Sequence, residues 1–232
     1  MERVDAPEIL DSDVCSGREA QSALAVLGLV NRWFGGISTT QKMVERAALA
    51  AGTKHLSLLE VAAGLGEVPH KVRAAVARRG ITLDVTLLDR APSHLPNGDS
   101  IHRHHGVVAN ALALPFRDEG FDLVSCSLFA HHLNAQQLAQ FVREGLRVSR
   151  RALLINDLIR HPVHLALAYA SYPIMRNRVA WLDGLTSVRR AYVPEEIRRM
   201  LASSFSPEAG AWIEISRNYL FRMGVMVWKG GA

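Results

Sequence analysis

The stretch LLEVAAGLGEVPHKV, residues 58–72, decides the predicted fold. It begins as an apolar, strand-like segment that carries Glu60, continues through a turn with Gly64 and Gly66, and ends in a helical pattern. A glycine-containing turn between a strand and a helix is typical of the ligand crevice at the carboxyl edge of an open α/β sheet. The stretch therefore predicts an α/β protein with a ligand site after its first strand.

Two common ligands of such turns do not fit this spacing. The dinucleotide fingerprint GxGxxG needs a third glycine three residues after the second, and here that position is Pro69. A phosphate-binding P-loop needs GK[ST] after four residues, and the stretch has no such sequence. The pattern instead favours a cofactor without a pyrophosphate, whose amino or cationic end meets the acid near the strand end.

The rest of the chain alternates strand-like and helical segments. The strand-like segments are HLSLLEV (residues 55–61), LDVTLLD (83–89), FDLVSCSL (121–128) and ALLIND (152–157), and the helical ones span 67–79 and 135–149. This alternation predicts βαβ units and a parallel sheet. The final segments AWIEISR and YLFRMGVMVW are joined by a short turn, so we expect them to be antiparallel strands.

Helical segments precede and interrupt this core. The pattern over residues 21–51 is helical and is broken at FGG, residues 34–36. Further helices are predicted over 162–182 and 194–201. We therefore divide the chain into an N-terminal helical cap, residues 1–52, and a main domain, residues 53–232, with a helical insertion at about 160–193.

Composition and charge narrow the class of protein. The 232 residues suit one domain of ordinary size. Cys15 and Cys126 are far apart in sequence, which predicts neither a disulfide framework nor a cysteine zinc site and favours a reducing compartment. The first residues lack a signal-peptide pattern, and no apolar run reaches the roughly 18 residues of a membrane span. We therefore expect a cytoplasmic protein.

Residues 141–200 contain eleven arginines against five acids. Such an excess suits an anionic substrate, nucleic acid or a membrane surface, and a solvated helix face explains it equally well. Because no aromatic residues alternate with the arginines as stacking platforms, we do not expect nucleic acid as a partner. A peripheral membrane contact remains compatible with the charge.

Several motifs in order give the chain its resemblance to a known family. The segment EVAAGLGEVP (residues 60–69) is followed by VTLLDRAP (85–92) and NALALPF (110–116), and then by FDLVSCSLFAHHL (121–133) and ALLINDLIRHP (152–162). Together they resemble the class I S-adenosylmethionine (SAM)-dependent methyltransferases, in the type 11-like branch of quinone and small-molecule enzymes. The resemblance implies a Rossmann-like sheet of seven strands in the order 3-2-1-4-5-7-6, with strand 7 antiparallel and helices on both faces.

The resemblance also implies SAM as the cofactor and a set of residues that bind it. Asp89 would accept hydrogen bonds from the ribose hydroxyls. Ala62 stands where the family usually has glycine, and Asn110 replaces an acid that meets the adenine amino group, a role that an amide oxygen can also fill. The implied cofactor residues are Glu60, Ala62, Gly64, Gly66, Asp89, Asn110, Ala111 and Ser127.

Methyl transfer requires an aligned nucleophile and the exclusion of water. A hydroxyl acceptor is helped by a general base, usually histidine, and the candidates are His131, His132 and His161. The first two can instead cap or pack the following helix. Candidate substrate contacts are Trp33, Asn156, Asp157 and Tyr192, although Asp157 can equally pair with Arg160.

We expect no metal site from the sequence. The tract HRHH, residues 102–105, has metal-like spacing but no nearby third acid or cysteine.

The sequence thus predicts a SAM-dependent methyltransferase that acts on the hydroxyl or carbon of a small apolar or aromatic acceptor. RNA or protein methylation is an alternative that the basic charge favours, although the segment after strand four lacks an NPPY-type turn. A non-catalytic SAM-binding module is a second alternative, suggested by Ala62 and Asn110. An NAD(P)-linked oxidoreductase shares the general fold, but Pro69 disfavours it.

Overall fold

A computed structural model describes residues 1–11, 17–95, 105–203 and 210–230 of the chain. The strands within these ranges form one sheet in the order β3-β2-β1-β4-β5-β7-β6. They are β1 (His55–Val61), β2 (Thr82–Asp89), β3 (His105–Val108), β4 (Phe121–Ser127), β5 (Ser149–Leu158), β6 (Trp212–Asn218) and β7 (Arg222–Trp228). The first five strands pair in parallel, and β7 is antiparallel to both β5 and β6. The predicted fold and strand order are confirmed.

Helices cover both faces of the sheet. They are α1 (Gly17–Trp33), α2 (Gly36–Ala51), α3 (Glu67–Ala77), α4 (Ala135–Val148), α5 (Pro162–Ala170), α6 (Tyr172–Met175), α7 (Arg178–Arg190) and α8 (Pro194–Ala202). Helices α2 and α3 bury their apolar side chains on one face, and α4 and α8 bury theirs on the other. Because the central strands are covered on both sides, most of their consecutive side chains are buried or half-buried.

Local sequence explains most of the element boundaries. Asn134 and Gln137 form a capping box at the start of α4, in which each side chain accepts the other residue's backbone N–H. The insertion is predicted as one or two helices ending at residue 182, but it consists of α5, α6 and α7. The left-handed backbone of Arg176 ends α6, and α7 then continues to Arg190. The resemblance implied a third strand, but the residue pattern did not locate the four-residue strand β3 (His105–Val108).

The turn between α1 and α2 is attached to the carboxyl edge of the sheet. Asn156 of β5 donates from Nδ2 to the carbonyl of Gly36 (2.6 Å) and to the hydroxyl of Thr40 (2.8 Å). The buried guanidinium of Arg222 donates to Asn31 Oδ1 at 3.0 Å. The N-terminal helices are therefore fixed to β5 and β7 by buried polar contacts as well as by apolar packing.

The described residues include no helix that is long and apolar enough to cross a lipid bilayer. Cys126 is a free, buried thiol in β4. Cys15 and the residues His102 and His104 of the HRHH tract lie outside the described residues, and the side chain of His105 is likewise not described.

Replacing Asn156 with alanine should destabilise the whole chain. The substitution removes the hydrogen bonds from Asn156 Nδ2 to the carbonyl of Gly36 and to the hydroxyl of Thr40, which together cost about 1–3 kcal/mol of unfolding free energy. Tryptophan fluorescence should show one cooperative unfolding transition in urea, with a midpoint at a lower urea concentration than in the unmodified protein. Thr40→Ser is the matched control, because it keeps the hydroxyl that Asn156 contacts. An unchanged midpoint, or a separate early transition of residues 1–52, would contradict a jointly folded cap and sheet.

Candidate active site

A cavity of about 810 Å³ opens at the carboxyl ends of β1, β2 and β4. It brings together seven of the eight cofactor residues implied by the resemblance and two of the three candidate histidines. Those lining residues are Glu60, Ala62, Gly64, Asp89, Asn110, Ala111, Ser127, His131 and His132. Gly66 lies just behind the cavity wall, where it is the N-cap residue of α3.

The turn after β1 has a left-handed backbone at three positions. The φ angles are +54° at Ala62, +53° at Gly64 and +69° at Gly66. A Cβ atom at Gly66 would lie 2.6 Å from Leu87 Cδ1, so this position needs glycine for space as well as for φ. Ala62 adopts the same region with a side chain, which costs roughly 1–2 kcal/mol. Alanine at position 62, where the family usually has glycine, therefore keeps the left-handed backbone of the turn at the cost of local strain.

Glu60 ends β1 with its side chain buried at the base of the cavity. The hydroxyl of Ser125 on the neighbouring strand β4 donates a hydrogen bond to Glu60 Oε2. Burial nevertheless raises the pKa of Glu60 to about 7, because the described residues place no cation beside it. The carboxyl group is therefore poised to ionise fully when a positive charge is brought against it.

Asp89 ends β2 and is held by donors from the adjacent turn. Its carboxylate accepts hydrogen bonds from the backbone N–H of Gly64 (2.9 Å) and of Ala91 (3.0 Å), and His94 Nδ1 lies 3.4 Å away. Burial would raise the pKa of Asp89, but these donors and the imidazole hold it below the usual value. Asp89 is therefore ionised, and it ties the turn after β1 to the end of β2.

Asn110 lies at the rim, where its side-chain oxygen accepts a hydrogen bond from the backbone N–H of Leu112 at 2.9 Å. This contact closes a local turn and fixes the orientation of the amide.

His131 lies at the opposite end of the cavity, between two carboxylates. Its Nδ1 is 2.7 Å from Asp157 Oδ1, and its backbone N–H donates to Asp157 Oδ2 at 2.9 Å. Its Nε2 is 3.3 Å from Glu8 Oε1. Burial alone would lower the pKa of His131, but Asp157 and Glu8 raise it to about 9. An imidazole held in this way is not a free general base.

The sequence also suggested an ion pair between Asp157 and Arg160. The structure does not contain this pair. Arg160 contacts Glu196 (2.5 Å) and two backbone carbonyls instead.

His132 is the more accessible histidine, with 21% of its side chain exposed. Its Nε2 lies 3.6 Å from Glu8 Oε2, and its ring stacks on Phe129. Glu8 was missed by sequence reasoning, because a single acid in an N-terminal segment carries no local signal. The hydroxyl of Ser187 on α7 donates to Glu8 Oε1 at 2.8 Å and orients that carboxylate.

The other predicted residues lie outside the described cavity lining. His161 is the N-cap of α5, where its Nδ1 accepts from the backbone N–H of Val163 and its ring stacks on Phe221. Trp33 is 68% exposed, Asn156 anchors the α1–α2 turn, and the Tyr192 hydroxyl donates to the carbonyl of Leu133. Asp157 reaches the cavity only through His131.

Replacing Ala62 with glycine should stabilise the protein. Glycine removes the left-handed strain from the folded state, but it also raises the entropy of the unfolded chain. The free energy of unfolding should therefore increase by only about 0.5 kcal/mol. The control Ala63→Gly, next along the chain and without a positive φ, should instead destabilise by about 0.5–1 kcal/mol. Urea denaturation of the two variants measures both values. Equal losses of stability in both would argue against strain at Ala62.

Comparison with known proteins agrees with this geometry. Residues 59–152, less than half of the chain, match the family model described as a methyltransferase domain. A search of curated proteins finds no significant match.

Three solved structures illustrate the structural similarity. The plantazolicin methyltransferase BpumL, bound to a triazolic desmethylPZN analog and SAH, is 12% identical with a TM-score of 0.70, covering 95% of this chain and 93% of that one. A SAM-dependent methyltransferase from Aquifex aeolicus is 13% identical (TM-score 0.56, 89% and 98% covered). Human N-acetylserotonin methyltransferase, bound to SAM, is 12% identical (TM-score 0.63), with 91% of this chain and 56% of that one covered. The chain thus carries a match to a methyltransferase domain over residues 59–152, within a sheet that has the fold of SAM-dependent methyltransferases.

Proposed function

We propose that the protein transfers the methyl group of SAM to a hydroxyl or carbon of a small, largely apolar acceptor. The observation that carries this proposal is one continuous cavity with two chemically different ends. Glu60 and Asp89 lie at one end, and Glu8, His131 and His132 lie at the other. A cavity of about 810 Å³ is large enough for a cofactor and a compact acceptor together.

The first end is assigned to SAM, which supplies a methyl group already activated on a sulfonium. Glu60 would face the amino group of the cofactor, because a buried carboxyl without a neighbouring cation is best compensated by one. Asp89 would accept the ribose hydroxyls, since each carboxylate oxygen can accept about two hydrogen bonds and receives one from a backbone amide, of Gly64 or of Ala91. Asn110, Ala111 and Ser127 would border the adenosine.

The second end is assigned to the acceptor. Leu128, Phe129 and Leu133 line the cavity there and give it an apolar wall. Glu8 and His132 would meet the oxygen of the acceptor, while His131 holds Glu8 in place. Among the three candidate histidines this leaves His161 without a part in the reaction, because it caps α5 away from the cavity.

Several arginines of the basic region contact acids and carbonyls of the protein itself, which supports a small acceptor over RNA. Arg147 contacts Glu144 and Asp118, Arg160 contacts Glu196, and Arg190 donates to backbone carbonyls. These three of the eleven arginines in residues 141–200 are thus engaged in contacts within the fold. Two structural neighbours are named as a plantazolicin methyltransferase and an N-acetylserotonin methyltransferase, and by fold-level analogy these names favour an acceptor other than RNA.

Isothermal titration with SAM and S-adenosylhomocysteine (SAH) tests the cofactor site. We expect both to bind, NADH not to bind, and Asp89→Asn to weaken SAH binding by about 10–100-fold, because charge-assisted hydrogen bonds are lost. The matched control Asp84→Asn removes an exposed acid from the same strand and should change nothing. A labelled-methyl screen of phenols, quinones and lipid extracts then identifies the acceptor. Binding without any methyl transfer would favour a non-catalytic module, and no binding would refute the proposal.

Affinity for SAH should rise with pH through neutrality. Glu60 has a raised pKa of about 7 in the free protein, and a bound ammonium group favours its ionised form. Binding below pH 7 therefore releases a proton, and affinity should fall about tenfold between pH 8 and pH 6. Titrations in two buffers of different ionisation enthalpy measure the proton release. Glu60→Gln should abolish it, whereas a flat profile in the unmodified protein would show that Glu60 does not meet the amino group.

A further inference from the structure

We propose that Glu8, His131 and His132 form a binding site for a divalent transition-metal ion such as Zn²⁺ or Fe²⁺ at the acceptor end of the cavity. This site was not expected from the sequence, because the two histidines are adjacent and the acid comes from a remote segment. The structure brings one ligand atom of each residue to within 4.8 Å of the others.

The separations between the ligand atoms suit a single ion. Glu8 Oε1 is 3.3 Å from His131 Nε2, and Glu8 Oε2 is 3.6 Å from His132 Nε2. Nitrogen and oxygen ligands that lie about 2.1 Å from one tetrahedral ion are about 3.4 Å from each other. Each imidazole therefore lies at ligand spacing from one carboxylate oxygen of Glu8, and one ligand atom of each of the three residues lies within 4.8 Å of the others.

His131 is oriented as a metal ligand usually is. Asp157 accepts hydrogen bonds from Nδ1–H of His131, from its backbone N–H, and from the backbone N–H of Leu158. A carboxylate with three donors holds the proton of the ring on Nδ1 and turns Nε2 towards Glu8. That Nε2 is fully buried and makes no hydrogen bond of acceptable geometry within the described residues. The arrangement of carboxylate, histidine and metal is a recurrent one in metalloproteins.

The other two ligands are held by the surrounding residues. Ser187 donates to Glu8 Oε1, so the carboxylate is fixed in direction. The buried guanidinium of Arg190 donates to the backbone carbonyls of His131 (3.3 Å) and His132 (2.9 Å). The segment that carries both histidines is therefore braced from α7, as a preorganised site requires.

The ligand set also indicates the class of ion. Two imidazoles and one carboxylate suit Zn²⁺, Fe²⁺ or Ni²⁺, whereas Mg²⁺ and Ca²⁺ prefer oxygen ligands alone. Three protein ligands leave at least one coordination position, and His132 and Glu8 both line the cavity. That position would be directed to the acceptor.

The link from this ion to methyl transfer rests on the proposed function, whereas the site itself rests on geometry. An acceptor hydroxyl bound to the ion loses its proton to solvent more readily, because the cation lowers the pKa of a coordinated oxygen. The oxygen then forms a bond to the methyl carbon while the carbon–sulfur bond breaks, and the sulfur of SAH keeps the bonding pair. Acceptors with a phenol or enol oxygen fit this chemistry best.

Metal binding is measured on the full chain after removal of metals with a chelator. We expect Zn²⁺ titration to show one site, and Co²⁺ to give the visible absorption of an ion with fewer than six ligands, with no effect of Mg²⁺. Glu8→Gln and His132→Ala should each weaken Zn²⁺ binding at least tenfold, and Asp157→Asn about 10–100-fold. The affinity of each variant for SAH reports whether it is folded.

Two controls separate this site from other histidines. The double variant His102→Ala/His104→Ala and the variant His161→Ala should bind Zn²⁺ as the unmodified protein does. Loss of binding in either control, or unchanged binding in both Glu8→Gln and His132→Ala, would overturn the site. Metal binding with no transfer to any acceptor would leave the site intact and count against the proposed function. Methyl transfer that survives chelation unchanged would refute the role of the ion in the reaction.

Discussion

The buried carboxylate of Asp157, at the end of β5, is the group on which the end of the cavity with Glu8 and His131 depends. An ionised carboxylate out of contact with water is strongly unfavourable unless it is paired and hydrogen bonded. Here the compensation comes from His131, which lies between β4 and α4, and His131 in turn contacts Glu8 of the N-terminal segment. One electrostatic requirement thus links three parts of the chain that are far apart in sequence. Burial would raise the pKa of Asp157, but the contact with His131 keeps it below its usual value.

The N-terminal segment is consequently part of the site and not an appendage to it. The carboxylate of Asp183 on α7 accepts the backbone N–H groups of Ile9 and Leu10, at 2.7 and 3.0 Å. These contacts place Glu8 against the two histidines, and Arg190 secures the same region by donating to the carbonyl of Ala6 at 2.9 Å. A division into a cap of residues 1–52 and a main domain therefore separates residues that act on one cavity, which is why we expect the two parts to unfold together.

Sequence reasoning succeeded where the signal is local and failed where it is not. The bounds of β1, the acid at the end of β2 and the glycine turn follow from short-range patterns, and the structure places Glu60, Gly64 and Asp89 together at the cavity. Glu8 had no such pattern, because its position depends on contacts with α7. His161 was predicted as a general base because it follows β5. Its imidazole instead caps α5, where it accepts a hydrogen bond from the backbone N–H of Val163 in the proline-initiated first turn. The short edge strand β3 has too few residues for an apolar alternation to be recognised.

The buried carboxyl groups at the two ends of the cavity are compensated in different ways. The two ends therefore favour different ligands. Asp89 and Glu8 have pKa values below their usual range, since donors or imidazoles from the protein outweigh the effect of burial. Burial raises the pKa of Glu60, whose described protein partners are hydroxyl groups without charge. A ligand that carries positive charge can therefore complete the electrostatics at Glu60, whereas Glu8 already faces the imidazoles of His131 and His132, which can hold positive charge there as a proton or as a bound metal ion. A cofactor with an ammonium group is thus favoured at the β1 end, and the opposite end is left for a neutral or oxygen-bearing acceptor.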